Sequence, residues 1–565
     1  MNRAQQIIET SRRLKGERAQ LNQLWEEVAS VLSPERQGFV NATVTPQRRT
    51  DKIFDTTPII AKRGLVNSLG AMLRPKSSAP GKWFDIVPED EDLLDVREVK
   101  EWIEYCEERL WRSLYNPKAK FIQATGEVDD DLVTFGTATG FLGLREDQTG
   151  FNFRAFHMAN VYLETNADNE PNGCFISEFL DCKQAAERYG KENLGNKTLE
   201  ALSRMSDTKR SSEKFEFIWC VKERSDFDPR SDSNLDMPVM SVVVDVESEH
   251  LVLEEGFEEY PFFHPMWDTR SGEVYGRGIG VLCLPDALTL QQMGKTMLRG
   301  LHRAVDPPWL LPADGMVNAP QMRPGGVSYY DAKAIRNLGV SDPFRQMESR
   351  AQIPWGLNAQ QAGREQVMAM FYKNVLDLPI EGPQMTATEV IARRESFVRE
   401  IGAIFGILES SYSSKIVERG FNIMMRKGVF GTPEQIPEEV QGSNITFRFA
   451  SPVEKAKRQI EEANVVQGLD RVMAIGNVRP EILDRYNWDE IGKFIAKSND
   501  FPPELTLDDK ATNQIKEENA MMAQQQQAME TMQQGAGALG QVPGELLEAA
   551  VTPEEDPGAE DLIPV

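Results

Sequence analysis

The sequence predicts an α+β protein in which helix predominates. Three observations lead there. Apolar residues recur at three- and four-residue steps through the opening stretches, the region from about Phe141 to His264 switches to short alternating runs separated by turn residues, and from Leu284 the helical period returns. At 565 residues the chain has room for roughly three to five domains.

Taken in order, Ile7, Leu14, Leu21, Leu24, Trp25, Val28, Val31 and Leu32 form one apolar stripe, a helical run that Ser33-Pro34 ends. Thr57 and Pro58 read as the N-cap and first-turn proline of a helix through Ile59, Leu65, Leu69 and Leu73, stopped by Pro75. A third helix is expected over about Asp95 to Tyr115 and a fourth over about Phe121 to Phe135. Residues 141–144 and 151–156 flank a Gly-containing turn and predict a hairpin; 161–164 and 174–180 predict a second pair. Further strands are expected at 215–221, 239–246, 251–254 and 262–264.

After Leu284 the stripe Leu290, Met293, Met297, Leu298, Leu301 and Val305 predicts a helix ended by Asp306-Pro307-Pro308. Residues 306–357 hold seven prolines and five glycines among short extended pieces. A second helix over about 358–376 follows, so the two helices predict an antiparallel stalk with a compact cap at its tip. Thr386 and Glu389 have the spacing of a capping box. The helical pattern behind them runs to about Lys427, on the order of 60 Å if straight, with Gly402, Gly406 and Gly420 as places to bend. Another helical block spans 452–497. Residues 519–534 are almost entirely Ala, Met, Gln and Glu, and the acidic end reads as disordered.

Composition excludes several classes. Lys plus Arg number 63 against 88 Asp plus Glu, a net charge of −25. Such a chain is repelled by DNA overall, because duplex binding is driven by cations that displace condensed counterions. A gene regulator or a tight nucleic-acid clamp is thereby disfavoured. No apolar stretch approaches the ~18 residues of a membrane helix, and the first residues lack a secretory core. Five unevenly spaced cysteines without C-x-x-C read as reduced thiols, so the expectation is a soluble chain made in the cytoplasm.

Catalytic motifs are scarce. Gly294-Lys295-Thr296 resembles the end of a phosphate-binding loop, but the position five before Gly294 is Thr289 and the segment lies inside an amphipathic helix. Helical N–H groups are already bonded and do not cradle phosphate. Gly276-Arg277-Gly278-Ile279-Gly280 lacks dinucleotide-fingerprint spacing and reads as a turn. The four histidines are scattered, so no zinc pair is expected. Asp129-Asp130-Asp131 lacks the alternation of a calcium loop and reads as a solvated helix face. No nucleophile elbow, metal site or cofactor site is read, and nothing requires an enzyme. One basic row remains: Lys295, Arg299 and Arg303 fall at i, i+4 and i+8 with His302 beside them. It reads either as a solvated or salt-bridged face, or as a charged ring at a subunit interface or facing nucleic acid.

Several segments together resemble a known family: Ile53-Phe54-Asp55-Thr56-Thr57-Pro58, Trp83-Phe84, Phe135-Gly136-Thr137-Ala138, Tyr275-Gly276-Arg277-Gly278, Asp306-Pro307-Pro308-Trp309, Met385-Thr386-Ala387-Thr388-Glu389-Val390 and Ala450-Ser451-Pro452. In this order they resemble the portal, or head-to-tail connector, proteins of short-tailed bacteriophages, over about residues 1–510. The resemblance implies a portal fold: wing 1–283, stem helices 284–305 and 358–378 around a clip at 306–357, a tunnel loop at 379–385, a long wing helix and return strand at 386–450, and a crown at 451–510. Residues 511–565 have no counterpart. It implies a ring of twelve subunits at one capsid vertex of the virion, a channel for double-stranded DNA in packaging and ejection, and no catalysis. Implied partners are terminase, a tail adaptor, the major capsid protein and scaffolding protein, with no membrane. The tunnel loop would be Pro379, Ile380, Glu381, Gly382, Pro383, Gln384 and Met385; the stem channel or interface would hold Lys295, Arg299 and Arg303; the clip would present Trp309, Leu310, Tyr329 and Tyr330 to partners. The alternatives are an ATPase built on Gly294-Lys295-Thr296 and a tail-tube adaptor.

Overall fold

The structure is a computed structural model and describes residues 2–40, 50–74, 83–90, 93, 96–204, 214–224, 227, 233–312, 321–330, 345–347, 353–373, 402, 404–431, 435–437, 440, 445–449, 452–476, 479, 485–498, 515–516 and 521–522. It mixes helix and sheet, as expected. The chain divides into a unit of residues 1–460 and a second from Glu461 onward.

The first unit opens with α1 (Arg3–Glu17) and α2 (Ala19–Leu32). The predicted continuous run is therefore broken at Arg18, a buried cation whose guanidinium donates to the backbone carbonyls of Val161 and Ala159. α3 (Thr57–Leu73), β1 (Phe84–Pro88), α4 (Arg97–Leu114) and α5 (Phe121–Phe135) follow. Next come the β2 (Thr139–Leu144) and β3 (Phe151–Phe156) hairpin, then β4 (Val161–Thr165) and β5 (Pro171–Leu180), paired antiparallel as predicted. Two short helices without a sequence prediction, α6 (Cys182–Tyr189) and α7 (Asn196–Arg204), precede β6 (Phe215–Glu223), β7 (Val239–Asp245), β8 (His250–Phe257) and β9 (Phe262–Phe263).

Strands β4 to β8 make a five-stranded antiparallel sheet in chain order. Its alternation feeds two cores: Val242 and Val244 pack with Ile7, Ile8 and Leu14 of α1, while Val243 on the opposite face packs with Cys182, Ala185 and Tyr189 of α6. The largest core joins α2 to α5 with the β3-β2-β9 sheet; in it the Trp25 ring lies within 5.8 Å of Phe39, Phe135 and Tyr275.

The helix α8 (Ile279–Val305) starts ahead of the expected Leu284 and keeps Pro285 within it. It leads to a small sheet in which β10 (Trp309–Pro312) pairs parallel with β11 (Val327–Tyr330) and antiparallel with β12 (Arg345–Gln346). The returning helix α9 spans Ile353–Met370, starting ahead of the expected 358; the last expected positions, 374–376, lie outside the described residues. Tyr372 just beyond it has φ 56°, a left-handed conformation in which helix does not continue. Of the long helical pattern after residue 386, the described part holds a π-helical turn at Glu409–Ser413 and then α10 (Ser414–Arg426); among the described residues from 404 on, the irregularity falls there and not at Gly406 or Gly420. β13 (Ile445–Phe449) returns to pair antiparallel with β1.

α11 (Pro452–Gly476) runs from the first unit into the second, where α12 (Trp488–Ser498) follows. The predicted single block is thus two helices, with Pro480 in the sequence between them. The Asn487 side chain accepts from the N–H of Glu490 at the start of α12, 3.4 Å.

The acid run Asp129-Asp130-Asp131 corrects the sequence expectation. It is no solvated face: Asp129 and Asp131 are each 1% exposed on α5. Asp129 pairs with the buried Arg74, Lys62 Nζ sits 2.6 Å from Asp130 Oδ1, and Arg36 Nε lies 3.2 Å from Asp131 Oδ1. Acids on the inner face of a helix survive burial only because each meets a cation from a neighbouring element. All five cysteines are buried, unbridged thiols.

Candidate functional site

The two helices α8 and α9 are antiparallel. A side chain at Gly363 would meet Leu290, and one at Gly356 would press on Met297, so ascending numbers on one helix meet descending numbers on the other. Near the body end, the loop carrying Phe54 and Asp55 locks onto both. Gln291 Oε1 of α8 accepts from the N–H groups of Phe54 (2.7 Å) and Asp55 (3.0 Å), and its Nε2 donates to the Asp55 carbonyl at 2.7 Å. The Asp55 carboxylate, 4% exposed, takes the Thr57 N–H on Oδ1 and, on Oδ2, Gln360 Nε2 and Arg364 Nε of α9, both at 2.9 Å. Burial opposes the charge on Asp55, but the hydrogen bonds from Thr57, Arg364 and Gln360 outweigh it and hold its pKa below the ordinary carboxylate value. Thus Asp55, rather than Thr57, receives the first N–H of α3.

Gly294 belongs to the same junction. A Cβ there would come within 3.2 Å of Phe54 Cβ and its carbonyl oxygen, so the glycine permits close approach of the loop and serves no phosphate. It lies in the interior of α8, and Lys295 Nζ rests 5.7 Å from the centre of the Phe54 ring.

Beyond the junction α8 leaves cover. Lys295 is half-buried and Arg299 and Arg303 are exposed; among the described residues none of the three is in a salt bridge. Alongside this row Leu298, Leu301 and Val305 are exposed as well, Val305 by 85%, with Trp355 of α9 at 76%. In the small sheet Trp309 and Tyr329 are exposed and Leu310 half-buried; the backbone places Tyr330 opposite Pro312 at the end of β11. Residues 379–385, the expected tunnel loop, and the Thr386–Glu389 capping box lie outside the described residues, as does nearly all of the Met/Gln-rich segment. No cluster of His, Cys, Asp and Glu suited to a metal occurs among the described residues, and no described helix is long and apolar enough to cross a membrane.

The model of the family described as bacteriophage head to tail connecting protein matches residues 4–507. The chain belongs to this family. Among curated relatives it is 23% identical over 550 residues to the portal protein of Salmonella phage epsilon15, covering 95% of both chains. It is 25% identical over 533 residues to the probable portal protein of Bordetella phage BPP-1, covering 93% of this chain and 92% of that one. The family is a structural one.

In this connector chain two segments that carried the resemblance meet backbone to backbone. Gly136, at φ 93°, has Gly278 N only 2.1 Å from where a Cβ would stand, and the Gly136 carbonyl accepts from Trp267 N at 2.9 Å. The turn at 276–280 therefore docks the start of α8 on the end of α5. Sequence reasoning missed the Asp55–Gln291–Gln360–Arg364 cluster. A signal was present: Gln291 interrupts the buried row Ala287, Leu290 and Gly294, and a buried amide needs partners.

Proposed function

We propose that this head-to-tail connecting protein forms a portal: a closed ring at one vertex of the capsid, twelve-fold as the resemblance implies, through which double-stranded DNA enters and leaves. The observation that carries the reading is the end-to-end likeness to portal proteins of two phages. Residues 1–283 and 386–450 would be the wing, α8 and α9 the stem, 306–357 the clip, 379–385 the tunnel loop and 451–510 the crown. Terminase and then the tail adaptor would dock on the clip around Trp309, Leu310, Tyr329 and Tyr330, and capsid and scaffolding proteins around the wing.

The physics suits a conduit. A ring needs one heterologous interface repeated until it closes. With a net charge of −25 per subunit, a DNA duplex would meet few cations, release few counterions and be weakly retained. Lys295, Arg299 and Arg303 are the exception: a short cationic band on the stem that steadies a moving polyanion. An ATPase built on Gly294-Lys295-Thr296 finds no support in a glycine packed against Phe54.

Images of the purified chain down its axis should show closed rings with a hole wide enough for a duplex. Open or stacked assemblies would favour a tail-tube adaptor instead. Replacing Lys295, Arg299 and Arg303 together by Ala should leave the rings intact and lower the salt dependence of DNA association; an unchanged slope would remove these residues from the channel.

A further inference from the structure

Between the α1–α2 bend and the segment entering α8 lies an open cleft of about 570 Å³. Leu14, Trp25 and Leu163 lie in it, with Leu21, Leu24 and Val281 around them. The size is that of a small-molecule site, but the charged groups that line it already have partners within the chain. Its one buried cation, Arg18, already donates from Nε to Asn22 Oδ1 at 2.8 Å and from its guanidinium to the Ala159 and Val161 carbonyls, with its charge 4.1 Å from the Tyr162 ring centre. The rim is ion-paired: Arg13 bridges Glu17 and Glu164, each at 3.4 Å, and Arg277 holds Glu273. Apolar walls inside a charge-paired rim do not attract phosphate or nucleic acid; they suit the apolar side chains of a protein.

We infer that this cleft is the acceptor half of the contact between neighbouring copies of this chain, filled by exposed apolar side chains of the next copy. The inference rests on the ring reading above. Two copies at −25 each repel, so contact is cheapest where the local charge cancels, and here Arg13, Arg18 and Arg277 balance Glu17, Glu164 and Glu273. A concave apolar patch that meets a convex one elsewhere on the same molecule makes a heterologous contact, the kind that closes into rings. Exposed apolar side chains that could fill it exist on the same body, Ile60 of α3 and Ile122 of α5, each more than half exposed.

The test uses full-length protein. Leu24→Arg and Val281→Arg should keep the wild-type circular dichroism spectrum yet need at least tenfold higher protein concentration to close rings, read by native mass. Because either substitution sits in a half-buried wall, Glu17→Cys supplies a second readout. Its introduced thiol is on the exposed rim while the five native thiols are buried, and a bulky maleimide should label it at least tenfold more slowly in rings than in dissociated subunits. Rings at wild-type concentration in both Arg variants, or equal labelling in rings and subunits, would overturn the inference while leaving the ring reading standing. Protection of the introduced thiol only after another virion protein is added would assign the cleft to that partner and also overturn it. Absence of rings from the unmodified chain would instead sink the ring reading, and the inference with it.

Discussion

The inner face of α5 and the free part of α8 use charge in opposite ways. On α5, Asp129 and Asp131 are buried and held by Arg74 and Arg36; on α8, Arg299 and Arg303 stand in solvent with no salt bridge among the described residues. The first set is part of the packing and is expensive to disturb. The second, solvated and unpaired within the described residues, contributes little to folding. Charge runs of equal prominence in the sequence thus carry different meanings, and only the neighbouring elements tell them apart.

The sharpest way to break the comparison is to orphan one buried partner. Asp129→Ala leaves Arg74 buried beside the Tyr412 ring without its carboxylate, which should cost about 3–5 kcal/mol in denaturant unfolding. Burial opposes the charge on Arg74, and Asp129 is what holds its pKa above the ordinary value. A loss below about 1 kcal/mol would mean that the pair is not a structural element. Asp55→Asn comes next. It keeps the shape but removes a charged acceptor from Gln360 and Arg364, for an expected loss of about 1.5–3 kcal/mol, with faster amide exchange concentrated in α9 and the facing part of α8. Uniform exchange across the body would contradict its role as the lock on the helix pair.

The smallest effect is in pH. Burial lowers the His264 pKa to about 3, with Nδ1 3.0 Å from Thr139 Oγ1 and Nε2 3.0 Å from Tyr260 Oη. Between that value and the unfolded ~6.5 the unfolded chain binds a proton that the folded chain refuses, so stability from this group is present above ~6.5 and is lost as pH falls toward 3. His157, lowered to about 4 by burial and by Arg36, acts in the same direction. Asp131 acts in the other: burial pushes it up to about 7, so from pH 7 down to ~4 its contribution rises as the folded state keeps a proton. Thermal melts from pH 7.5 to 5 should therefore fall less steeply for His264→Gln and more steeply for Asp131→Asn. Parallel curves for all three proteins would refute both assignments.

Much of the fold was legible because its signals are local. The α5 helix, the β2–β3 hairpin and the strands from β4 to β8 follow from period and turn residues that act within a few positions. What was not legible is decided at a distance. β1 pairs with β13, joining Phe84 to Phe449, and neither segment announces its partner. The break at Arg18 exists because Val161 of β4 and Ala159 in the turn ahead of it supply carbonyls for a buried guanidinium. The π-helical turn at 409–413 places Tyr412 fully inside, its hydroxyl donating to the Thr125 carbonyl at 3.3 Å and its ring stacked on Phe263; no residue in that turn is a conventional helix breaker. At the candidate site the basic row of α8 was readable from spacing, whereas its exposure and the clamp beneath it needed the packing of residues 54–55 against both helices.

The Gly136–Gly278 junction has a consequence for how such a chain can change over time. With backbone against backbone, there is no atom to trim and no neighbour that could shrink to make room. Compensation by a second mutation, the ordinary escape route of a crowded core, is closed there. A randomised library selected for viable particles should return both positions as glycine almost without exception, while exposed positions of α8 outside its basic row vary around them.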